Sequence, residues 1–553
     1  MATIGELVRA RAGDPRVGLR FEDSSWTWAE VVEAAAVRAA FLRAHAPANP
    51  PFHVGVLLDN IPEFWFTLCG AALAGATVVG INPTRRGAEL ARDIAHTDCA
   101  FVLTEKTHVE LFDAAGTPGA APLHVVDAPQ WAEALAPFAE SPVPDTEVAP
   151  GDTFMLIFTS GTTGAPKAVR MGHARLATYG GKLVEMFGLG PGDVCYSVMP
   201  LFHSNAAVAG FADVLAAGAT AVLRRRFSAT GFLPDVRRYG VTFFNYVGKP
   251  LSYILATPEL PDDADNTLHI AFGNEAAPLD IDRFARRFGC VVADGYGSTE
   301  GGLNMSRTPD TPRGSLGLPV APIRAVILDP DTGSECVTAV FDAAGRLLNA
   351  EAAIGEIVNP DGSGGFEGYY NNPEANAERM RDGVYWSGDL GYRDENGFFY
   401  FAGRSGDWLR VDGENFAATP VELVLARHPD VVLAAVYAVP SVGVGDEVMA
   451  ALHLRAGAGF DPDAFATFLD AQSDVSPKWT PRFVRVADSL PSTATQKVLK
   501  RVLRHDHWEC PDPVWWRPAR ASEFRRLTPD DAAALRAQFV DREREHLIGH
   551  HDR

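Results

Sequence analysis

The chain has 553 residues, 47% hydrophobic and 22% charged, enough apolar material for more than one globular domain. Its formal net charge of −21 repels phosphate backbones and excludes a nucleic-acid partner. Six scattered cysteines form neither a CxxC pair nor a disulfide framework, and the N-terminal stretch lacks the apolar core of a signal peptide, so a cytoplasmic protein is expected.

In chain order, apolar strand-like runs alternate with amphipathic helical stretches from about residue 20 to 330. A helix is predicted over 28–44 and a strand over 53–58. Eighteen uncharged residues follow at 64–81. That length could span a membrane, but Gly70, Gly75 and Gly80 divide it, and a buried helix followed by a short strand is expected. Further strands are predicted at 100–103, 153–158, 194–199, 220–223, 241–246, 268–271 and 291–293, with a helix over 281–288. Residues 110–150, rich in Ala and Pro, read as a surface connection. From 315 to 402 glycine becomes frequent, and short strands at 354–358 and 398–401 predict a β-subdomain. Helices at 420–427 and 461–472 then alternate with strands at 431–439, 447–454 and 482–486, the outline of a small α+β domain. The fold class is therefore α/β: a large N-terminal domain of layered α/β sheets plus β-subdomain over 1–403, and a small α+β C-terminal domain over 404–553. The tail from 506 carries the aromatic run PDPVWWRPAR, and no internal repeat is present.

The most informative stretch is TSGTTGAPK at 159–167, directly after the apolar run FMLIF. Thr159, Ser160, Gly161, Thr162, Thr163, Gly164 and Lys167 supply four hydroxyls, two glycines and a lysine within nine residues. Glycines let backbone N–H groups approach an anion, hydroxyls donate, and lysine adds charge, as in a polyphosphate loop. A plain polar turn between strands is the competing reading. The Walker A spacing is absent. Only seven of the 49 basic residues are lysines, which gives weight to one placed in such a loop.

DGYGSTE at 294–300 follows a predicted strand. Its Tyr296 offers a flat face for a nucleobase, Thr299 a donor to phosphate, and Glu300 a hard oxygen ligand for Mg²⁺. A turn with a capping threonine would look the same. Asp389, in YWSGDL, suits a ribose diol or a simple turn. Arg404 stands in the glycine-dense stretch 401–422, which reads as a nucleotide contact or as a linker. Lys497, in PSTATQK, taken alone reads as a solvated lysine.

In this order and at these separations, the five motifs resemble the adenylate-forming superfamily of acyl-CoA synthetases, luciferases and peptide-synthetase adenylation domains, from about residue 20 to 505. The stretches FFNYVGKPLSYILATP, GNEAAP and GDWLRVDGENFAATPVE, with the ending PDPVWWRPAR…FRRLTPDD, are similar to the fatty-acid transport protein and very-long-chain acyl-CoA synthetase branch. The resemblance implies an ATP-dependent fatty acid–CoA ligase using ATP, Mg²⁺ and coenzyme A. Thr159 to Gly164 and Lys167 would hold the β- and γ-phosphates, Thr299 the α-phosphate, and Glu300 the metal. Tyr296 would pack on adenine, with Gly273, Asn274 and Glu275 across from it and Asp294, Gly295 and Gly297 around it. Asp389 and Arg404 would take the ribose hydroxyls, and Lys497 would be the adenylation lysine. For the second step the C-terminal domain would be mobile, pivoting at Gly406 and Asp407 and presenting Arg410, Gly413, Glu414 and Asn415 to coenzyme A. The chain departs from the family at Ala168, where glycine is common, and at Gly406 in the hinge.

The implied acyl pocket lies between the helix after PLFH and the strand before GYGSTE, with His203, Ala207, Asn245, Gly248 and Gly301 as its lining. Small residues in HSNAAVAGF leave room for a long or bulky tail, so a long- or very-long-chain fatty acid is expected, with a sterol side-chain acid as rival. The same residues would equally serve a tightly packed helix. An acyl-AMP ligase loading a carrier protein and a non-catalytic lipid-binding or transport protein are the alternatives. The presence of Lys497, Glu300 and Asp389 weighs against the latter. A peripheral contact with the inner face of a membrane and a homodimer are compatible with the reading.

Overall fold

The structure is a computed structural model describing residues 2–115, 121–159, 167–308, 310–342, 347–404, 408–411, 414–443, 445–472, 478–493, 497–518 and 523–548. It divides into two compact units. The first comprises residues 1–276, 280–304 and 361–385, and the second comprises 277–279, 305–360 and 386–553.

Two sheets build the first unit. One contains β1 (Val17–Phe21) and β2 (Ser24–Thr27); the other begins with β3 (His53–Leu57), β4 (Thr77–Gly80), β5 (Cys99–Thr104) and β6 (Leu123–Val125). β7 (Thr153–Thr159) and β8 (Lys167–Gly172) complete the six-stranded sheet, in the order β6-β5-β3-β4-β7-β8. All its pairings are parallel except the β7/β8 hairpin. β9 (Val194–Ser197), β10 (Thr220–Leu223), β11 (Phe243–Val247), β12 (Ile270–Asn274) and β13 (Val291–Gly297) join the other sheet, in the order β13-β12-β11-β9-β10-β1-β2. These too are parallel, save the β1/β2 hairpin. Parallel sheets covered on both faces bury their strands fully, which is why β3, β4 and β11 read as near-continuous apolar runs.

Local chemistry sets the helix limits. Thr27 caps helix Trp28–Ala44 through a reciprocal pair: its hydroxyl accepts from the Glu30 N–H, and the Glu30 carboxylate accepts from the Thr27 N–H. The uncharged stretch at 64–81 resolves as expected into helix Pro62–Ala74 and β4. Gly75 ends that helix at φ 74°, a left-handed turn that only glycine adopts cheaply. Phe64 to Ala74 are all buried, so the apolar run serves the interior. Among the described residues no helix is long and apolar enough to cross a membrane.

Residues 110–150 are more structured than their composition predicts. They hold the end of helix Lys106–Ala115, the edge strand β6 and helix Pro129–Leu135, whose Trp131 is buried with its ring 4.9 Å from Phe41. A three-residue strand is too short to show a period, so one aromatic anchor does what the pattern cannot reveal.

In the second unit, β14 (Asn304–Ser306), β15 (Ser315–Pro319), β16 (Val326–Leu328) and β17 (Gly355–Asn359) belong to a β-subdomain. β18 (Met380–Arg381), within the first unit, pairs with the start of β19 (Val384–Arg393). The rest of β19 pairs with β20 (Phe399–Arg404), and β20 with β15. β21 (Trp408–Val411) and β22 (Glu414–Ala417) form a hairpin. β23 (Val431–Pro440), β24 (Asp446–Leu454), β25 (Phe483–Val486), β26 (Val514–Trp516) and β27 (Arg525–Arg526) follow one another in a five-stranded sheet. The tail from 506 is thus not an appendage. It adds β26 and β27 to the edge of β25, and Phe483 stacks on Trp508 and Trp516 at 5.1 and 6.0 Å.

Candidate active site

The phosphate-loop candidate spans the tip of the β7/β8 hairpin. Thr159 and Lys167 face each other at its mouth, and the Thr159 hydroxyl donates to the Lys167 carbonyl at 3.5 Å. Ser160, Gly161, Thr162, Thr163 and Gly164 lie outside the described residues. The Lys167 side chain is nearly buried, with its ammonium 3.4 Å from Glu378 and 5.8 Å from the Tyr369 ring centroid. The segment carrying Tyr369 is strapped onto β8: Tyr370 N–H donates to Ala168 O at 2.8 Å, and Arg170 N–H to Gly368 O at 3.0 Å. Ala168 is wholly buried beneath this strap.

The second cluster gathers at the carboxyl ends of β11, β12 and β13, where open parallel sheets place their ligand crevices. β13 runs through Gly297, so DGYG is extended strand and not a turn. Asn274 Nδ2 donates to Gly295 O at 2.8 Å, and Gly248 N–H donates to Asn274 O at 2.9 Å. Gly273 admits no side chain, because a Cβ there would stand 2.3 Å from Tyr246 O. The Asp294 carboxylate accepts from Tyr246 Oη at 3.0 Å and from Ala276 N–H at 3.1 Å, which makes it a strut beneath the crevice. Glu275 is exposed and holds a left-handed φ of 67°; Tyr296 is half-buried on the final stretch of β13.

Just beyond β13, Thr299 Oγ1 shares a hydrogen bond of 2.8 Å with Ser204 Oγ, and its carbonyl accepts from Arg175 Nη2 at 2.6 Å. Gly301, at φ 71°, makes room for that guanidinium, which would lie 2.3 Å from a Cβ. Glu300 is buried, and its Oε1 accepts from Tyr369 Oη at 2.8 Å. The same phenol accepts from Arg379 Nε at 2.9 Å, and Arg379 Nη2 is 4.0 Å from Glu300 Oε1. Burial, reinforced by the Glu300 charge, pushes the Tyr369 phenol far above its ordinary range and keeps it a donor. Lys167, Tyr369, Arg379 and Glu300 thus form one contiguous group, and its carboxylate suits a hard divalent cation.

The wall after PLFH is held from a distance. Asn60, buried, donates to Met199 O at 2.8 Å and accepts from Leu201 N–H at 2.9 Å. His203 packs on Phe202, with ring centroids 4.5 Å apart. The helix Ser204–Ala207 passes into a π-turn at Val208–Ala212, where Ala209 leaves helical geometry, and resumes at Asp213–Ala217. Asn245 Nδ2 donates to Asn205 Oδ1 at 2.7 Å, and Ser197 Oγ donates to Gly210 O at 2.9 Å. Ala207 is fully buried, and a Cβ on Gly210 would meet Ser197 Oγ at 3.2 Å, so small residues here let helix and sheet approach closely. Burial pushes the Asp213 carboxyl up to about 7.

In the second unit, Asp389 and Arg404 are register partners on β19 and β20, with Asp389 buried. Asp389 is therefore a strand residue and not a turn aspartate. Arg410 pairs with Asn415, and Val411 with Glu414, across the β21/β22 hairpin, whose Gly413 lies outside the described residues, as do Gly406 and Asp407. Lys497 is half-buried and tied to Thr493: Thr493 N–H donates to Lys497 O at 2.7 Å, and Lys497 N–H to Thr493 Oγ1 at 3.1 Å.

A third cluster, Asp59, Glu105 and His108, brings its ligating atoms within 4.8 Å of one another. Two guanidiniums already engage it: Arg225 lies 2.6 Å from Glu105, and Arg226 lies 3.1 Å from Asp59. Burial raises the Asp59 pKa, but His108 and Arg226 outweigh it and hold the carboxyl down at about 2. It is an ion network that neutralises itself.

Sequence reasoning missed Ser204, Arg175, Asn60, Tyr369 and Arg379. For the last two a signal existed: GYYNNPEANAER places a tyrosine pair before a turn and a short helix ending in arginine.

Comparison with known proteins places this geometry. The AMP-binding enzyme family matches residues 8–370, and the AMP-binding enzyme C-terminal domain matches residues 420–497. Medium/long-chain-fatty-acid–CoA ligase FadD17 of Mycobacterium marinum is 52% identical over 499 residues, 90% of this chain and 95% of its own. Steroid-22-oyl-CoA synthetase of Rhodococcus jostii is 49% identical over 557 residues, 99% of each chain. The solved structure of the anthranilate CoA ligase AuaEII in complex with anthranoyl-AMP shares the fold, with a TM-score of 0.79 at 21% identity over 91% of this chain and 96% of that one. The chain belongs to the AMP-binding enzyme family. Within it, it is an acyl-CoA ligase that uses ATP and coenzyme A.

Proposed function

We propose that the protein activates a long-chain or steroid side-chain carboxylic acid as its acyl-adenylate and transfers the acyl group to coenzyme A. A carboxylate oxygen attacks the α-phosphorus of ATP, the bond to the bridging oxygen breaks, and pyrophosphate leaves. The coenzyme A thiolate then attacks the acyl carbon, and AMP departs. Step one brings two anions together, so catalysis must consist largely of positioning and offsetting charge. Lys167 would bind the terminal phosphates, and Thr299, beside Ser204, the α-phosphate. Glu300 would hold Mg²⁺, whose charge offsets that of the phosphates. Gly273 to Glu275 and Tyr296 would enclose adenine, Asp389 and Arg404 the ribose. Residues 404–553 would act as the mobile domain, bringing Lys497 to the reacting carboxylate and, in its other arrangement, the β21/β22 hairpin to coenzyme A.

The observation that carries this reading is the contiguous group of Lys167, Tyr369, Arg379 and Glu300, two cations and a carboxylate around one ring, beside the strand ends that would receive a nucleotide. The two relatives' names divide the acyl class between fatty and steroid acids. Pyrophosphate release measured over a panel of both, with and without coenzyme A, tests the assignment. Turnover confined to acetate or benzoate, or undiminished without coenzyme A, would overturn it. Lys497→Ala should lower acyl-adenylate formation by at least about a hundredfold, a magnitude usual for losing a charge that acts in the transition state. Thioester formation from supplied acyl-adenylate should survive in that variant. Equal loss of both half-reactions would contradict the role given to Lys497.

A further inference from the structure

We infer that Tyr369 and Arg379 are positioning residues for Glu300, orienting its carboxylate toward a divalent cation and fixing it relative to Lys167. The inference rests on the reading of Glu300 as the metal-holding carboxylate.

Hydrogen-bond direction carries the argument. An Arg Nε–H can only donate, so the Tyr369 oxygen is the acceptor at 2.9 Å from Arg379. The single phenolic hydrogen is then committed to Glu300 Oε1, 2.8 Å away. Arg379 Nη2, at 4.0 Å, approaches that same oxygen. Tyr369 thus holds the carboxylate by Oε1, with the Arg379 charge behind it, which leaves Oε2 as the atom to present to a cation. A buried carboxylate held at one oxygen keeps a fixed direction, which is what a metal ligand needs from its supporting residues.

The ring does a second job. Lys167 Nζ sits over its face at 5.8 Å, so one side chain separates the phosphate-loop cation from the carboxylate while touching both. Its backbone is pinned on two sides. Tyr369 forms an antiparallel bridge with Val169 on β8, and its N–H donates to Asn376 Oδ1 at 2.6 Å. Asn376 belongs to helix Pro373–Arg379, the helix that ends in Arg379, so strap, phenol and guanidinium are linked in one hydrogen-bonded insert.

The test is equilibrium Mn²⁺ binding, read by electron paramagnetic resonance, to the full chain carrying α,β-methylene-ATP, in which the scissile link is carbon. No turnover is involved. Tyr369→Phe keeps the ring under Lys167 and removes only the hydroxyl; Arg379→Gln removes the charge behind it. Each should weaken Mn²⁺ about tenfold, the usual cost of removing a partner of a metal ligand, while affinity for the metal-free analogue stays within about twofold. A merely structural role would lower both affinities together and overturn the inference, as would Mn²⁺ affinity unchanged in both variants. Should one variant fail to fold, the other decides the question in the same way. Glu300→Gln separates the two levels. If it leaves Mn²⁺ binding intact, the metal role of Glu300 falls. If it abolishes binding while Tyr369→Phe and Arg379→Gln do not weaken it, only the positioning role falls.

Discussion

Asp213 opens a helix directly after the π-turn with no exposed surface, and its Oδ2 has no hydrogen-bond partner among the described residues. Burial lifts its carboxyl from the ordinary 3.8 to about 7, so the folded chain binds a proton that the unfolded chain releases near pH 4. The sign follows from linkage: stability is full below the unfolded pKa, declines as pH rises toward 7, and levels off above. Asp213→Asn should therefore be more stable than the parent at pH 8 and nearly equal at pH 4. The difference should be on the order of a few kcal/mol, by the conversion of pKa shift into free energy. Urea midpoints at the two pH values check it; a gap that does not widen with pH would show that the carboxyl is ionised in place.

At the scale of elements, the PLFH wall is held by one amide from the loop that follows β3. Asn60 spans 141 residues to Leu201 and satisfies both a carbonyl and an N–H of the segment leading into His203. Asn60→Ala leaves two buried backbone groups unpaired, at about 1–3 kcal/mol each. Because that segment borders the implied acyl pocket, KM for the acid should rise several-fold while KM for ATP stays near the parent value. A uniform loss of both would reduce Asn60 to a stabilising residue.

The tail is a second case at this scale. β26 covers the edge of β25, and Trp508 and Trp516 cover Phe483. Ending the chain at Asp506 would bare that edge, and an unpaired apolar strand invites pairing with other copies. Light scattering of the shortened chain should show association; a monomeric, active product would refute this role for the tail.

For the molecule as a whole, what was legible in the sequence is what backbone chemistry writes locally. Helix Trp28–Ala44 matches its expected limits because a capping box starts it. The fold class follows from the alternation of runs, and two largely parallel sheets in the first unit bear it out. Residues that support the site were not legible, since their partners lie far along the chain. Tyr369 reaches Glu300 across 69 positions, and Arg175 reaches Thr299 across 124. The local pattern GYYNNPEANAER marks a turn and a helix around Tyr369 but not its partner, and nothing near Arg175 points to Thr299. Asp294 shows the converse: its neighbours suggested a nucleotide contact, whereas the carboxylate also braces Tyr246 and the backbone at Ala276.

The first unit is stitched from three stretches of chain, the last of them residues 361–385, while 305–360 belong to its neighbour. A nascent polypeptide therefore cannot seat Tyr369 against Glu300 until 69 further residues have left the ribosome and a foreign segment has been looped out. At ordinary synthesis rates of about 5–20 residues per second, that leaves several seconds in which the buried acid waits without its phenol.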